Sequence, residues 1–313
     1  PDMPDRDLYI FDTETDELIE TVNTLGTLLY GLTIDSKGNV FIAQTDARND
    51  ANGRAGTRKH GLAEMENRAF LNRVTKVNAQ KSGVPTVTFF DLEPLPPNQP
   101  TPGRALATPY GIRVSDDDST LVVTAAGSDK LVTIDSVSGE VLGRVDVDAV
   151  PRGIALVSDA DGRPEQAWVL NAVENTVSLV DVANKKAPFL STRIVLHDPT
   201  SPLLKQGRKA FETAEASSTG TFACASCHPD GHTDQLLWVL NTPIVTGGDQ
   251  IQPRTTMPIR GLRDTEPFHW DGIPGDPYGG HNAANTDSYV APNSDITDPT
   301  TATRNLIDAS LAN

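Results

Sequence analysis

The only two cysteines of this 313-residue chain are separated by two residues and stand directly before a histidine, in the run Cys224-Ala225-Ser226-Cys227-His228. This spacing attaches a c-type haem. One helical turn presents both sulfurs to one haem edge, where each thiol forms a thioether with a vinyl group. The adjacent histidine supplies an axial nitrogen to the iron. We therefore expect one covalent haem c held by Cys224, Cys227 and His228.

Two other chemistries use a cysteine pair at this spacing. One is a redox-active disulfide, and the other is half of a structural zinc site. A structural zinc ion takes four ligands, and the chain has no second cysteine pair.

The second axial ligand of the iron has several candidates. Met257 lies in a Thr-Met-Pro context, and methionine opposite histidine raises the reduction potential and suits electron transfer. His269 would give a bis-histidine haem of lower potential. His281 is a further candidate, and an open or water-bound position is a fourth. His232 follows His228 by only four residues, which favours a surface or propionate-contacting role over a position on the opposite face.

Composition and compartment narrow the possible partners. Attachment of haem to such motifs takes place outside the cytoplasmic membrane, so we expect a periplasmic, extracellular or cell-surface protein. The net charge of −16 argues against nucleic acid or an anionic membrane as partner, and it suits a basic redox partner. No apolar run approaches the ~20 residues of a membrane helix, so we expect no transmembrane segment.

The chain up to about residue 200 consists of short strands separated by turns. Hairpins are predicted at 7–12 with 18–22, 130–135 with 140–145, and 175–181 with a degenerate partner. Between them lie the strand pairs 30–35 with 38–43, 110–114 with 121–124, and 152–156 with 167–171. A four-stranded unit recurring every ~40–45 residues has the period of a β-propeller blade. We expect the aspartates that end strands, such as Asp12, Asp135 and Asp181, to cap the following turns.

Strands ending in Ile134-Asp135 and Val180-Asp181 make residues 1–195 resemble the YVTN-type seven-bladed propeller family. We count three clear blades and an irregular one at 46–105. These are too few to close a ring without exposed sheet faces. We therefore expect that the chain is a piece of a longer protein, or that a further segment or subunit completes the propeller, which occupies residues 1–198 here.

Residues 199–313 have the pattern of a different domain. The predicted helix at 205–211, just before the cysteine pair, resembles the opening helix of class I-type cytochrome c domains. That resemblance implies that Phe211 packs against the haem. The fold we expect is therefore mainly β, with incomplete propeller blades followed by a mainly α cytochrome c-type domain that has an extended C-terminal tail.

Residues 256–272 resemble the stretch after the first haem motif of di-haem cytochrome c peroxidases and MauG-like enzymes. The resemblance implies that Trp270 lies on an electron path or packs on the haem. That family needs a second haem motif, and this chain has none. Either a second haem domain lies beyond Asn313, or the protein is a mono-haem electron carrier.

Charged residues around this segment suggest two further contacts. Arg254, Arg260 and Arg263 are candidates for pairing with the haem propionates. Acidic residues are candidate ligands of a calcium ion near the haem, as in related di-haem enzymes: Asp230, Asp234, Asp271 and Asp276.

These observations favour an exported c-type cytochrome that transfers electrons to a redox partner, such as another haem protein, with the propeller as docking scaffold. One alternative is part of a di-haem peroxidase or MauG-like oxidoreductase whose second haem lies outside this chain. The other is a propeller-based binding or assembly protein in which the haem is a relay.

Overall fold

The computed structural model describes residues 5–52, 61–78, 85–239 and 253–262. The chain forms two compact units, each made of several segments. The first unit comprises Pro1–Ala47, Phe70–Glu215 and Gly220–Ser226. The second comprises Arg48–Ala69, Ala216–Thr219 and Cys227–Asn313.

The first unit is built of antiparallel sheets whose strands pair in chain order. A two-stranded hairpin contains β1 (Leu8–Phe11) and β2 (Leu18–Val22). The first sheet contains β3 (Leu28–Ile34), β4 (Asn39–Ala47), β5 (Phe70–Asn78) and β6 (Thr86–Asp91). The second contains β7 (Pro109–Val114), β8 (Thr120–Ala125), β9 (Lys130–Asp135) and β10 (Val141–Asp146). The third contains β11 (Pro151–Ser158), β12 (Pro164–Asn171), β13 (Thr176–Asp181) and β14 (Phe189–Val195). These four-stranded sheets are β-propeller blades.

All the predicted strand pairs form, but the blade count was wrong in one respect. The region 46–105, predicted as an irregular blade, is not a blade of its own. Its two strands, β5 and β6, complete the first sheet, where β5 pairs with β4 along its whole length. Alternation of apolar residues identifies a strand but not its partner, and residues 48–69 separate these partners in sequence. The described part of the first unit therefore holds three four-stranded blades and a hairpin.

Apolar faces hold neighbouring blades together. Phe41 and Val74 of the first sheet share a buried core with Ile112 and Leu121 of the second. On the opposite face of the second sheet, residues such as Val122 pack with the third sheet. Strand β8 is consequently buried on both faces, as expected for a strand inside a stack of blades.

The first strands of the three sheets approach one another closely. A Cβ added to Gly31 would lie 2.5 Å from the carbonyl oxygen of Tyr110, and one added to Gly111 would lie 2.5 Å from that of Arg152. Glycine is needed at both places because backbone atoms occupy the space of a side chain. The rings of Tyr30 and Tyr110 stack with centroids 4.7 Å apart. The Arg152 guanidinium lies 4.8 Å from the centroid of the Tyr110 ring.

Aspartates cap the turns after the strands, as predicted. The carboxylate of Asp12 accepts the backbone N–H groups of residues 14 and 15, each at 2.9 Å. Asp135 accepts the N–H groups of residues 137 and 138, and Asp181 accepts that of residue 183. Their role is structural.

Helix α1 (Pro202–Glu212) belongs to the first unit and covers the predicted helix at 205–211. It is attached through charged residues on one face, at positions 205, 209 and 212. Lys205 lies 2.8 Å from the Asp198 carboxylate, Lys209 pairs with Glu174, and Glu212 lies 3.0 Å from the Arg152 guanidinium. Across the ranges that the structure describes, no helix is long and apolar enough to cross a membrane.

Candidate haem-attachment site

The two cysteines lie on a single helical turn, α2 (Cys224–Cys227). Two reciprocal bonds close the turn: the Ala223 N–H donates to Ser226 Oγ at 2.9 Å, and the Ser226 N–H donates to the Ala223 carbonyl at 3.0 Å. The two middle residues are buried, whereas both cysteines are partly exposed and carry free thiols. The turn therefore leaves its two sulfur-bearing residues accessible.

The Cys224 thiol is a neutral group. Burial raises its pKa above the ordinary cysteine value, because desolvation disfavours the thiolate.

Within the described ranges, no group of three or more histidine, cysteine, aspartate or glutamate side chains could hold a metal ion.

His228 follows the turn, and one of its ring nitrogens already has a partner. Its Nδ1 lies 3.3 Å from the carbonyl oxygen of His232. A carbonyl oxygen only accepts, so Nδ1 carries the proton in this contact. In the neutral imidazole, Nε2 then has a lone pair for a metal ion, which is how metal-ligating histidines are oriented in proteins.

A tight loop places the His232 carbonyl. The Gly231 N–H donates to the His228 carbonyl, and the His232 N–H donates to the Pro229 carbonyl, both at 2.9 Å. Asp230 and Gly231 have φ of +52° and +76°, a left-handed conformation that turns the chain back on itself. The Asp234 N–H closes the loop on the Cys227 carbonyl at 3.0 Å.

Asp234 and Trp238 hold the end of this loop. Asp234 is 6% exposed and Trp238 is 3% exposed. One carboxylate oxygen of Asp234 accepts the Leu236 N–H at 3.0 Å, and the other accepts the indole N–H of Trp238 at 2.9 Å. The carboxylate is therefore engaged on both oxygens by residues of its own segment.

Residues 253–262 bind along the outside of the loop. Strand β15 (Leu237–Trp238) pairs with β16 (Arg254–Thr255). The Thr233 hydroxyl donates to the Thr256 carbonyl at 2.7 Å. The Ile259 N–H donates to the Gly231 carbonyl at 2.9 Å, and Arg260 Nε donates to the Asp230 carbonyl at 2.7 Å.

The segment that separates β4 from β5 contributes to the same unit. The Asn52 side chain bonds the backbone of Val239 twice: Nδ2 donates to its carbonyl at 3.0 Å, and Oδ1 accepts its N–H at 2.6 Å. Sequence analysis did not find Asn52 or Trp238. Neither residue belongs to a recognisable sequence motif, because each meets its hydrogen-bond partner only when the chain is folded.

The structure also describes several other residues that were predicted to belong to the site. Met257 is 44% exposed and follows Thr256, which binds the loop. Arg260 contacts the loop backbone through its Nε, which donates to the Asp230 carbonyl. Arg254 Nη1 donates to the Pro253 carbonyl, and Phe211 is half-buried on α1 of the first unit. The remaining candidates lie outside the described residues: Arg263, His269, Trp270, Asp271, Asp276 and His281.

No family model matches the chain, and no curated protein matches it. Solved structures with partial likeness include hydrazine synthase of Kuenenia stuttgartiensis, at 14% identity and a TM-score of 0.42, with 55% of this chain and 51% of that chain covered. Virginiamycin B lyase of Staphylococcus aureus matches at 18% identity and a TM-score of 0.32, over 55% and 42% of the two chains. Apo AztD of Citrobacter koseri matches at 11% identity and a TM-score of 0.33, over 58% and 37%. The alignments span about half of the solved chains or less, and likeness at this level carries no argument about activity.

Proposed function

We propose that this protein is an exported c-type cytochrome that binds one haem covalently and transfers electrons. The observation that carries the proposal is the paired orientation at the motif. Cys224 and Cys227 share one turn, and the Nδ1–H of His228 is occupied by the His232 carbonyl. Two thiols and an imidazole with a lone pair on Nε2 are the donor set of a c-type haem.

Each residue of the motif has a defined role in this proposal. Cys224 and Cys227 would hold the haem by two thioether bonds, each formed when an S–H adds across one vinyl group, with the sulfur bonding one carbon and the hydrogen the other. His228 Nε2 would bind the iron. When bound, the haem supplies reversible one-electron chemistry. The loop 228–234 keeps the imidazole oriented.

The distal ligand and the surroundings of the haem belong to the same proposal. Met257 is the first candidate for the distal ligand and His269 the second. Phe211 is the candidate for packing against the haem, and Trp270 for an electron path or for packing on the haem. Arg260 and Arg263 are the candidates for pairing with the propionates, and calcium is the candidate second cofactor. Asp234 is a poor calcium ligand, since both of its oxygens accept N–H groups.

A di-haem peroxidase or MauG-like oxidoreductase is the second candidate function. The likeness of residues 256–272 to the stretch after the first haem in that family favours it. In that case the second haem lies on another segment. In either case the acidic chain, with a net charge of −16, would dock to a basic redox partner outside the cytoplasm.

We also propose that further blades, on another segment or subunit, complete the propeller. The outward face of the third sheet carries the exposed residues Val157 and Leu170, and the hairpin carries Tyr9 and Phe11. Equivalent apolar faces between the described blades are buried. A blade packed on each end would bury these surfaces in the same way.

Visible spectra of the oxidised and ascorbate-reduced protein distinguish these functions. A low-spin spectrum with the weak far-red band of methionine-ligated ferric haem supports an electron carrier with Met257 as ligand. A high-spin spectrum that changes on addition of peroxide supports the peroxidase. A protein that carries no haem after expression with the c-type attachment machinery contradicts both.

A further inference from the structure

We infer that Asp234 is a positioning residue for the axial histidine, acting through Trp238 and the loop that carries the His232 carbonyl. This inference rests on the proposed haem function and extends it to residues beyond the attachment motif. Its basis is a continuous set of hydrogen bonds within the second unit.

The bonds run from the carboxylate to the imidazole in three steps. The side chain of Asp234 is fixed by the Trp238 indole N–H at 2.9 Å and the Leu236 N–H at 3.0 Å. Its backbone N–H is fixed to the Cys227 carbonyl at 3.0 Å. Residues 228–233 therefore form a closed loop. Within this loop, the His232 carbonyl accepts a hydrogen bond from Nδ1 of His228 at 3.3 Å.

Burial makes this arrangement specific. Asp234 and Trp238 are almost fully buried, so water does not readily replace a hydrogen bond that is lost between them. Hydrogen bonds to a carboxylate are also roughly twice as strong as neutral ones. Loss of the hydrogen bond between Asp234 and Trp238 is therefore expected to release the end of the loop.

The loop has a direct effect on the imidazole. While the His232 carbonyl stays in place, the proton is held on Nδ1, and Nε2 remains free to bind iron. When the loop loosens, the preference for the Nδ1–H tautomer falls. The imidazole also loses the bond that raises its basicity as a ligand.

The test uses Asp234→Asn, which keeps the shape of the side chain and removes its charge, together with Trp238→Phe, which keeps an aromatic ring and removes the N–H donor with part of the buried indole. In the haem-free protein, the ¹⁵N shifts of the His228 imidazole report the ratio of the two tautomers. We expect the Nδ1–H form to lose about three- to tenfold in that ratio, the size of one hydrogen bond. In the haem-loaded protein, we expect the reduction potential to rise, because a less basic imidazole stabilises the ferric iron less.

Gln235→Asn is the matched control, since this neighbouring side chain is exposed, and it should change neither quantity. An unchanged tautomer ratio in Trp238→Phe, with the fold intact by circular dichroism, overturns the positioning role. An unchanged potential in haem-loaded variants does the same. Failure of the parent protein to take up haem instead contradicts the proposed function, while the tautomer measurement still decides the role of Asp234.

Discussion

The blades are stabilised internally by one kind of interaction, and the loop at 228–234 by another. Neighbouring blades meet through repeated apolar faces, in which residues such as Phe41 and Leu121 are fully buried. The loop after Cys227 is fixed by single hydrogen bonds that involve Asp234, Trp238 and Asn52. Packing of many similar side chains tolerates variation, whereas a bond between two named groups does not.

This difference separates stability from function in the molecule. Loss of a core side chain in a blade should lower the free energy of unfolding and leave the histidine oriented. Loss of a loop bond should disturb the histidine and leave the blades folded. Four experiments on substituted proteins test the account, from the largest expected effect to the smallest.

Replacement of both cysteines, Cys224→Ser with Cys227→Ser, should abolish covalent haem. No other cysteine in the sequence can replace them. Intact mass and the pyridine haemochrome spectrum measure the loss, and the β signal in circular dichroism should persist. Val137→Ala, at a position that is 78% exposed, should retain the haem. A haem that stays covalently attached to the double variant would show that the motif is not the attachment site.

Phe41→Ala should lower the free energy of unfolding by about 3–5 kcal/mol, because it opens a cavity in the core between the first two blades. Urea unfolding followed by circular dichroism measures the change. The exposed control Val137→Ala should stay within about 0.5 kcal/mol of the parent. A loss below about 1 kcal/mol would mean that this face is not a tightly packed contact between blades.

Two glycines should respond in opposite directions to alanine. Gly111→Ala places a Cβ 2.5 Å from the Arg152 carbonyl oxygen and should cost about 1–3 kcal/mol. Gly207→Ala, within helix α1, meets no atom within 4 Å and should stabilise the protein by about 0.5–1 kcal/mol. Thermal unfolding of both variants measures the difference. Destabilisation by Gly207→Ala would indicate that another segment covers this side of α1.

The contact between Asp198 and Lys205 should make the anchoring of α1 depend on pH. The hydrogen bond from Lys205 lowers the pKa of Asp198 from the ordinary 3.8 to about 2. A carboxylate whose folded pKa is lowered stabilises the fold above pH 3.8, and this contribution disappears as the pH falls towards 2. Asp198→Asn should remove that part of the dependence, and urea midpoints between pH 5 and 2 measure it. Equal pH dependence in both proteins would contradict the assignment.

Most of the first unit could be predicted from sequence, because its signals are local. A strand rich in apolar and β-branched residues that ends at Asp135, followed by Gly139 two residues before β10, specifies a hairpin without knowledge of the rest of the chain. The pairing of β4 with β5 could not be predicted in this way. It depends on a contact across residues 48–69, which no local pattern encodes.

Of the candidate site, only the cysteine pair and the adjacent histidine could be predicted in full from the sequence. The spacing of Cys224, Cys227 and His228 is the one that attachment of a c-type haem requires, so this proposed motif can be recognised in the sequence. Asp234 was predicted there only as one of four candidate calcium ligands, and Trp238 was not singled out. Their bond depends on the backbone path of the loop, including the left-handed residue Asp230, and that path appears only in the folded chain.

The most direct test of the account is intact mass combined with a pyridine haemochrome spectrum, on protein exported from a host that attaches c-type haem. The account predicts a mass increase equal to one haem, with a haemochrome spectrum of two thioether bonds. An unmodified mass, or a haem that is extracted by acidified solvent, would contradict it.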